Sequence, residues 1–223
     1  MHIWFIMDGN RRWAKSIWMP KFYWHKKWVE NLESLLDYLP KYWVKFATVY
    51  ALSTENMQRE ESELKDLFKL IETFAKKKKL FEKNDVKFNF IWKLDQFPES
   101  TKNALLDLKE FTKNFKRLNF QVAINYWGKD ELVRAFKKLK KANVENWEEI
   151  SEENISKYLD NPEYPDPEMI IRTWWKKRMS NFLIWQWAYS EHYYLDKFWP
   201  QFKEDDFVEA LEFLKWAGKN FGK

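Results

Sequence analysis

The chain has no cysteine, four glycines and three histidines in 223 residues. The first absence excludes disulfide frameworks, thiolate metal sites and cysteine nucleophiles. With histidine at positions 2, 25 and 192 alone, a His-rich metal cage is not expected. No run of about 18 apolar residues is present, so no helix should span a bilayer. The N-terminal MHIWFIMDGN reaches an acid too soon for a signal peptide, and the chain reads as cytoplasmic. Glycine is the telling shortage, because about 7% is usual and about 16 residues would be expected at this length. A chain with so few lacks the residue that turns tight corners and lets backbone approach phosphate.

What is abundant is tryptophan, with 15 residues. Lys and Arg number 39 against 34 Asp and Glu, a net charge of +5. That charge is dispersed along the chain. It suits a phosphate-bearing substrate or a membrane surface. A nucleic-acid binder would need a basic stripe or a recognised motif, and none stands out. The length fits one compact domain over residues 1–223 with a sizeable core. The polar stretch Asn143–Glu153 reads as a surface excursion, not a domain boundary.

Apolar runs of strand length fall at His2–Met7, Lys45–Leu52, Val86–Ile91, Phe120–Tyr126, Met169–Arg172 and Tyr193–Leu195. Several are continuously apolar, as strands covered on both faces are. Between them lie helical spacings: Val29, Leu32, Leu36 and Leu39; Leu64, Leu67, Phe68, Ile71 and Phe74; Ala104, Leu105, Leu108 and Phe111. Leu132, Val133, Phe136 and Leu139 continue the series, and Phe207, Ala210, Leu211 and Leu214 end it. The alternation predicts an α/β domain with a mostly parallel central sheet of about six strands flanked by helices. Ligands then bind beyond the carboxyl ends of the strands.

Three polar clusters follow strand ends. Asp8-Gly9-Asn10-Arg11-Arg12-Trp13-Ala14-Lys15 sets an acid at a strand tip, then basic residues opening a helix. Helix-start amides receive anionic oxygens, Arg12 adds a forked cation, and Asp8 can hold Mg²⁺. Taken alone, Asp8 is equally readable as a helix cap. Ser53-Thr54-Glu55-Asn56-Met57-Gln58-Arg59 follows the second strand, where a capping turn is the plain alternative. Arg172, Arg178 and Ser180 follow the fifth and suit a second phosphate, unless they are surface salt-bridge residues. Glu191 is an acid in an apolar run, which needs a partner or a cation.

In order, MDGNRRWA, HKKWVE, YALSTEN, NYWGKDELVRA, IIRTWWKKRMSNFLIWQ, AYSE and FWPQF resemble the cis-prenyltransferase family over nearly the whole chain. The resemblance implies a homodimeric transferase that condenses isopentenyl diphosphate onto an allylic prenyl diphosphate, farnesyl diphosphate being the usual one. The product is a polyprenyl diphosphate with cis double bonds, of the kind that supplies the undecaprenyl carrier for cell-wall synthesis. Membrane contact would be at most peripheral, for product release. A non-catalytic subunit of a related complex is the alternative, against which the retained Asp8 argues. By the same resemblance Asp8 and Asn10 are catalytic, and Asp8 with Glu191 organises Mg²⁺. Gly9, Asn10, Arg11, Arg12, Trp13, Lys21 and His25 belong to the allylic substrate's site, and Ser53, Thr54, Glu55, Asn56, Met57 and Arg59 to the loop over the reacting carbons. Arg172, Arg178 and Ser180 take the isopentenyl diphosphate.

Departures from the family pattern are systematic. Trp18, Trp24, Trp28, Trp43, Trp92, Trp127, Trp174 and Trp175 stand where the family has Gly, and Trp4 and Trp187 where Gly is plausible. Trp13, Trp185 and Trp199 are family tryptophans. Returning the ten to glycine raises Gly from 4 to 14 and lowers Trp from 15 to 5, both ordinary values. The pattern is that expected of a gene in which UGA encodes glycine, translated with UGA as tryptophan; deliberate substitution and an unusual natural enzyme are the competing readings. The ten are therefore expected to be poorly accommodated as a group, with Trp24 and Trp127 crowding tight turns. Trp13 and Trp185 are expected to be buried with paired N–H groups.

Overall fold

The computed structural model describes residues 1–19, 21–91, 96–142 and 150–218, with the backbone alone for Lys21 and Phe22. Six strands form one sheet: β1 His2–Ile6, β2 Phe46–Ser53, β3 Val86–Ile91, β4 Leu118–Tyr126, β5 Met169–Thr173 and β6 Glu191–Leu195. Their order is β3-β4-β2-β1-β5-β6, and every pairing is parallel. All six expected strands are present, each shifted by no more than two residues at either end.

The strand pattern sets the layers. In β1, all of whose residues are buried, Ile3 and Phe5 point into the main core, with Met7 just beyond the strand. Trp4 and Ile6 point into a smaller cluster with Ile170, Tyr126 and Phe182 on the other face. The main core is built against α2 Lys21–Tyr38, α3 Glu61–Ala75, α5 Glu99–Phe111 and α8 Glu204–Ala217. Each offers a stripe at helical spacing, such as Leu67, Phe68, Ile71 and Phe74 on α3. The short helices α1 Asn10–Ser16 and α4 Lys78–Lys83 follow β1 and α3.

The helix α6 Gly128–Lys141 turns differently from the expected stripe. Val133 and Phe136 are half-exposed, whereas Glu131, Ala135 and Leu139 are buried. Apolar spacing misled here because the buried face contains a carboxylate with its own hydrogen-bond partners. Of the expected surface excursion Asn143–Glu153, residues 143–149 lie outside the described residues. Ser151 caps α7 Glu152–Lys157 through a 3.1 Å bond from the Asn154 amide.

The suspect tryptophans divide sharply. Trp18, Trp43 and Trp174 have φ of 57°, 61° and 65°, the left-handed region that favours glycine. Trp18 follows α1 in a Schellman arrangement: its amide donates to Lys15 O at 3.3 Å, and the Met19 amide to Ala14 O at 3.0 Å. Trp18 is 95% exposed and Trp43 80% exposed. Trp175 is also exposed, and among the described residues the buried Trp187 Nε1 has no partner. Others contradict the expectation. Trp4 is fully buried with Nε1 donating to His2 Nε2 at 2.9 Å. Trp24 lies buried within α2, not at a turn, and Trp28 is buried beside it. Trp127 precedes α6 with an extended φ of −149°, which any residue adopts. Trp92 lies outside the described residues. Among the family tryptophans, Trp199 is buried and Trp185 Nε1 donates to Ser156 Oγ at 3.0 Å. Trp13 and Trp185 are only half-buried, and Trp13 stacks on Tyr23.

Candidate active site

Parallel strands leave their carboxyl ends on one edge, and the polar clusters meet there. Asp8 follows β1, Ser53 ends β2, and Arg172 is the last residue but one of β5. A cavity of about 730 Å³ opens among them. It is lined by Asp8, Gly9, Asn10, Arg11 and Arg12 from the first cluster, Ser53, Glu55, Asn56 and Arg59 from the second, and Arg172, Arg178 and Ser180 from the third. Lys15 at the end of α1 joins them. Six cations thus face two carboxylates, Asp8 and Glu55, an arrangement built for a polyanion.

Asp8 is held from several directions. Its backbone N–H donates to Thr173 Oγ1 at 2.9 Å, and its carbonyl accepts the Trp199 amide at 3.0 Å. One carboxylate oxygen accepts the Gly9 amide at 2.7 Å; the other accepts Arg172 Nη2 at 2.7 Å. Arg172 is buried, and its other nitrogen Nη1 donates to the Arg178 carbonyl and, at 3.1 Å, to Ser180 Oγ. One guanidinium therefore ties the first cluster to the third. A carboxylate offers about four lone-pair positions, and two remain on Asp8. Mg²⁺ usually takes one or two protein carboxylates and completes its shell with water and substrate phosphate. Asp8 fits that donor role. No group of three His, Asp or Glu residues placed to hold a metal occurs among the described residues.

Gly9 caps α1 with φ +91° and no side-chain cap, which leaves the first amides of the helix open. A Cβ at Gly9 would stand 2.5 Å from Phe198 Cδ1 and 3.3 Å from Trp174 Cβ, so a side chain is excluded there. The Arg12 guanidinium lies 3.8 Å from the centre of the Trp174 ring. The Trp174 indole thus sits against the Gly9 loop and Arg12.

The second cluster is aimed by a bulge, since the β2–β4 register shifts between Tyr50 and Ser53. Asn56 Oδ1 accepts the Ser53 amide at 3.4 Å, closing the 3₁₀ turn Thr54–Gln58. Thr54 turns away from the cavity and donates to Asn125 O at 3.2 Å. Met57 packs against the core. Below the cavity, Glu63 accepts Arg59 Nη1 at 2.8 Å and stands 3.7 Å from Arg11 Nη1. Sequence reading missed Glu63, although four residues after Arg59 is the spacing of a helical ion pair.

His25 is buried on α2, with Nε2 unpartnered among the described residues. Burial lowers its pKa, Asp66 and Glu63 oppose this, and Arg59 adds to it, so the imidazole is neutral at pH 7. Neither His25 nor Trp13 lines the cavity. Lys21 opens α2, and its side chain lies outside the described residues. Glu191 is not brought to Asp8 within one chain. It begins β6 opposite Met169, which pairs Ile3, so it lies at the amino edge of the sheet. Five residues of strand from Ile3 to Asp8 put roughly 16 Å between these two levels.

The apolar wall comes from Leu52 on β2, Trp24 and Trp28 on α2, and Leu67, Leu70 and Ile71 on α3. A polyanion site opening directly onto such a wall suits an amphiphile with a charged head and a hydrocarbon tail.

Residues 6–222 match the family model described as "Putative undecaprenyl diphosphate synthase". The chain belongs to this family of cis-prenyltransferases. It is 39% identical to the farnesyl-diphosphate-specific ditrans,polycis-undecaprenyl-diphosphate synthase of Micrococcus luteus, over 99% of this chain and 90% of that one. It is 37% identical to the isoprenyl transferase of Aquifex aeolicus, over 100% and 95%. Lavandulyl diphosphate synthase of Lavandula x intermedia, solved with dimethylallyl diphosphate, superposes with a TM-score of 0.95 at 28% identity, over 100% and 98%. The cis-prenyltransferase is thus a transferase of polyprenyl diphosphate synthesis, and nothing among these relatives favours a non-catalytic subunit.

Proposed function

We propose that this cis-prenyltransferase holds two diphosphates side by side in the one cavity. The allylic substrate lies on Gly9–Arg12 and Arg59; isopentenyl diphosphate lies against Arg178 and Ser180. The observation that carries the reading is that six cations line one cavity with Asp8 and that the cavity also has an apolar wall. The farnesyl specificity in the name of the Micrococcus luteus relative supports farnesyl diphosphate as starter and an undecaprenyl product here.

The residues divide the work by charge. Departure of the allylic diphosphate develops negative charge, which Arg11, Arg12 and the open amides of α1 are placed to receive. Asp8 would hold Mg²⁺, which would supply further stabilisation of charge on the leaving diphosphate. Leu52, Leu67 and Ile71 exclude water from the electron-poor carbon left behind, so that the double bond of isopentenyl diphosphate is its nucleophile; the condensed chain then loses one proton to an oxygen of the departed diphosphate as the new double bond forms. Glu63 keeps Arg59 and Arg11 extended toward the cavity. Assembly as a homodimer is part of the proposal, with an expected solution mass of twice 27.7 kDa.

Incorporation of radiolabelled isopentenyl diphosphate into butanol-extractable product, with farnesyl diphosphate as starter, tests the reading. Asp8→Ala should lower turnover by several orders of magnitude in a folded protein. Near-normal turnover of that variant in excess Mg²⁺ would overturn the assignment.

A further inference from the structure

The amino edge of the sheet, opposite the cavity mouth, carries cations that the reaction does not use. Lys45 precedes β2, Asp85 precedes β3, and Lys116 and Arg117 precede β4. They form one row, because Asn119 N donates to Lys45 O at 2.8 Å and Arg117 N to Asp85 O at 3.0 Å. The run Lys76–Lys79, at the end of α3 and start of α4, adjoins it. Lys77, Lys78 and Lys83 are paired with Glu33, Asp107 and Asp37. Lys45, Lys76, Lys79, Lys116 and Arg117 are exposed, and among the described residues none has a carboxylate within 4.0 Å.

The apolar wall of the cavity leads toward this row. Leu67, Leu70 and Ile71 line the cavity along α3, and the helix runs on from Ile71 to Lys76. Five residues of helix rise about 7.5 Å. A hydrocarbon tail growing along α3 from the diphosphate edge therefore approaches the lysine row, where water would meet it.

We propose that this amino edge is a docking surface for a bilayer bearing anionic lipid headgroups, set so that the prenyl tail passes from the cavity into acyl chains. The proposal rests on the reading of the product as a long prenyl diphosphate. Each Lys or Arg held near an anionic surface strengthens binding about fivefold at low salt. Five such residues on one edge suffice for reversible attachment without a spanning helix, and no helix among the described residues is long and apolar enough to cross a membrane.

The test is sedimentation of the full chain, without substrates, with vesicles of phosphatidylcholine alone or with about one-third phosphatidylglycerol. Binding to the anionic vesicles is expected at low salt and should vanish near 1 M NaCl, where the Debye length is about 3 Å. The variant Lys76→Glu/Lys79→Glu/Lys116→Glu/Arg117→Glu should bind at least about 100-fold more weakly. Its turnover of detergent-solubilised substrates should be unchanged. Lys137→Glu/Lys138→Glu/Lys140→Glu/Lys141→Glu makes the same charge change on α6 and should still bind. Equal loss in both variants, or equal binding to neutral and anionic vesicles, would overturn the proposal. So would tighter binding to single-stranded DNA than to the anionic vesicles in a gel shift, which would make the row a nucleic-acid face. Because no substrate is present, a chain that fails to turn over can still pass.

Discussion

Trp18 and Trp43 hold left-handed backbone with their indoles in solvent, so each pays the Cβ penalty and gains little from burial. That penalty is roughly 1–2 kcal/mol per residue. Trp18→Gly and Trp43→Gly should each raise the melting temperature by about 2–8 °C, read by calorimetry. Trp4→Gly should instead lose about 3–5 kcal/mol, because it empties a fully buried site. Trp174→Gly should free Arg12 from the ring beneath it and lower the KM for the allylic diphosphate. The glycine reading of UGA is thus favoured most directly at 18, 43 and 174, and the codons at those positions in the gene decide it; UGG there would sink it. Arg172 and Arg178 also part company. Arg178→Ala should raise the KM for isopentenyl diphosphate about 10- to 1000-fold, more than that for the allylic substrate. Arg172→Ala should lower kcat as well, since it leaves Asp8 without its buried partner. His2 supplies a pH test. Burial lowers its pKa to about 4, against 6.5 when unfolded. The unfolded chain therefore takes up this proton first, and stability falls as pH drops from about 6.5 to about 4 at up to about 1.4 kcal/mol per unit. Urea titrations at pH 7 and pH 5 should show the loss, and His2→Gln should flatten it.

At the scale of elements, the loop from β5 to β6 carries Arg178 and Ser180 and depends on α6 for its position. Gly128 N donates to Asn181 O at 2.9 Å, and Lys129 N to Asn181 Oδ1 at 3.2 Å. Glu131 is buried and accepts from Tyr126 OH, from the Asp160 amide at 3.0 Å and from Gln186 Nε2 at 3.2 Å. Burial raises its pKa. Glu131→Ala strands three donors and should cost about 3 kcal/mol in urea unfolding. Hydrogen exchange should quicken in residues 178–187, with a higher KM for isopentenyl diphosphate. The sheet was legible in the sequence because continuous apolar runs such as Ile3–Ile6 suit strands covered on both faces. The meeting of the three polar clusters at one cavity was legible because strand ends in a parallel sheet converge. The buried face of α6 was not, since a satisfied carboxylate looks like a surface residue in a hydrophobicity pattern. The distance of Glu191 from Asp8 within one chain was not legible for another reason: a motif records which residues a family keeps, not which edge of a sheet they occupy.

Across the whole molecule, the net charge of +5 is small, yet six cations are gathered at one mouth. Diphosphate capture should therefore be steered by field, and kcat/KM should fall as ionic strength rises from low to physiological. A smaller loss is expected for a variant that already lacks Lys15, because one of the six is gone.

The site is also assembled from opposite ends of the chain. Asp8 is bonded to Arg172, 164 residues later, and its carbonyl to the amide of Trp199. β1 pairs with β5 through Ile3 and Met169. During synthesis the Asp8 segment, to which the proposal assigns a diphosphate, leaves the ribosome early and waits for the last third of the chain. A ribosome-stalled chain ending before residue 169 would have both β1 and Asp8 but neither of their later partners. Competence should appear abruptly near release, and in denaturant activity and far-UV signal should disappear in one transition.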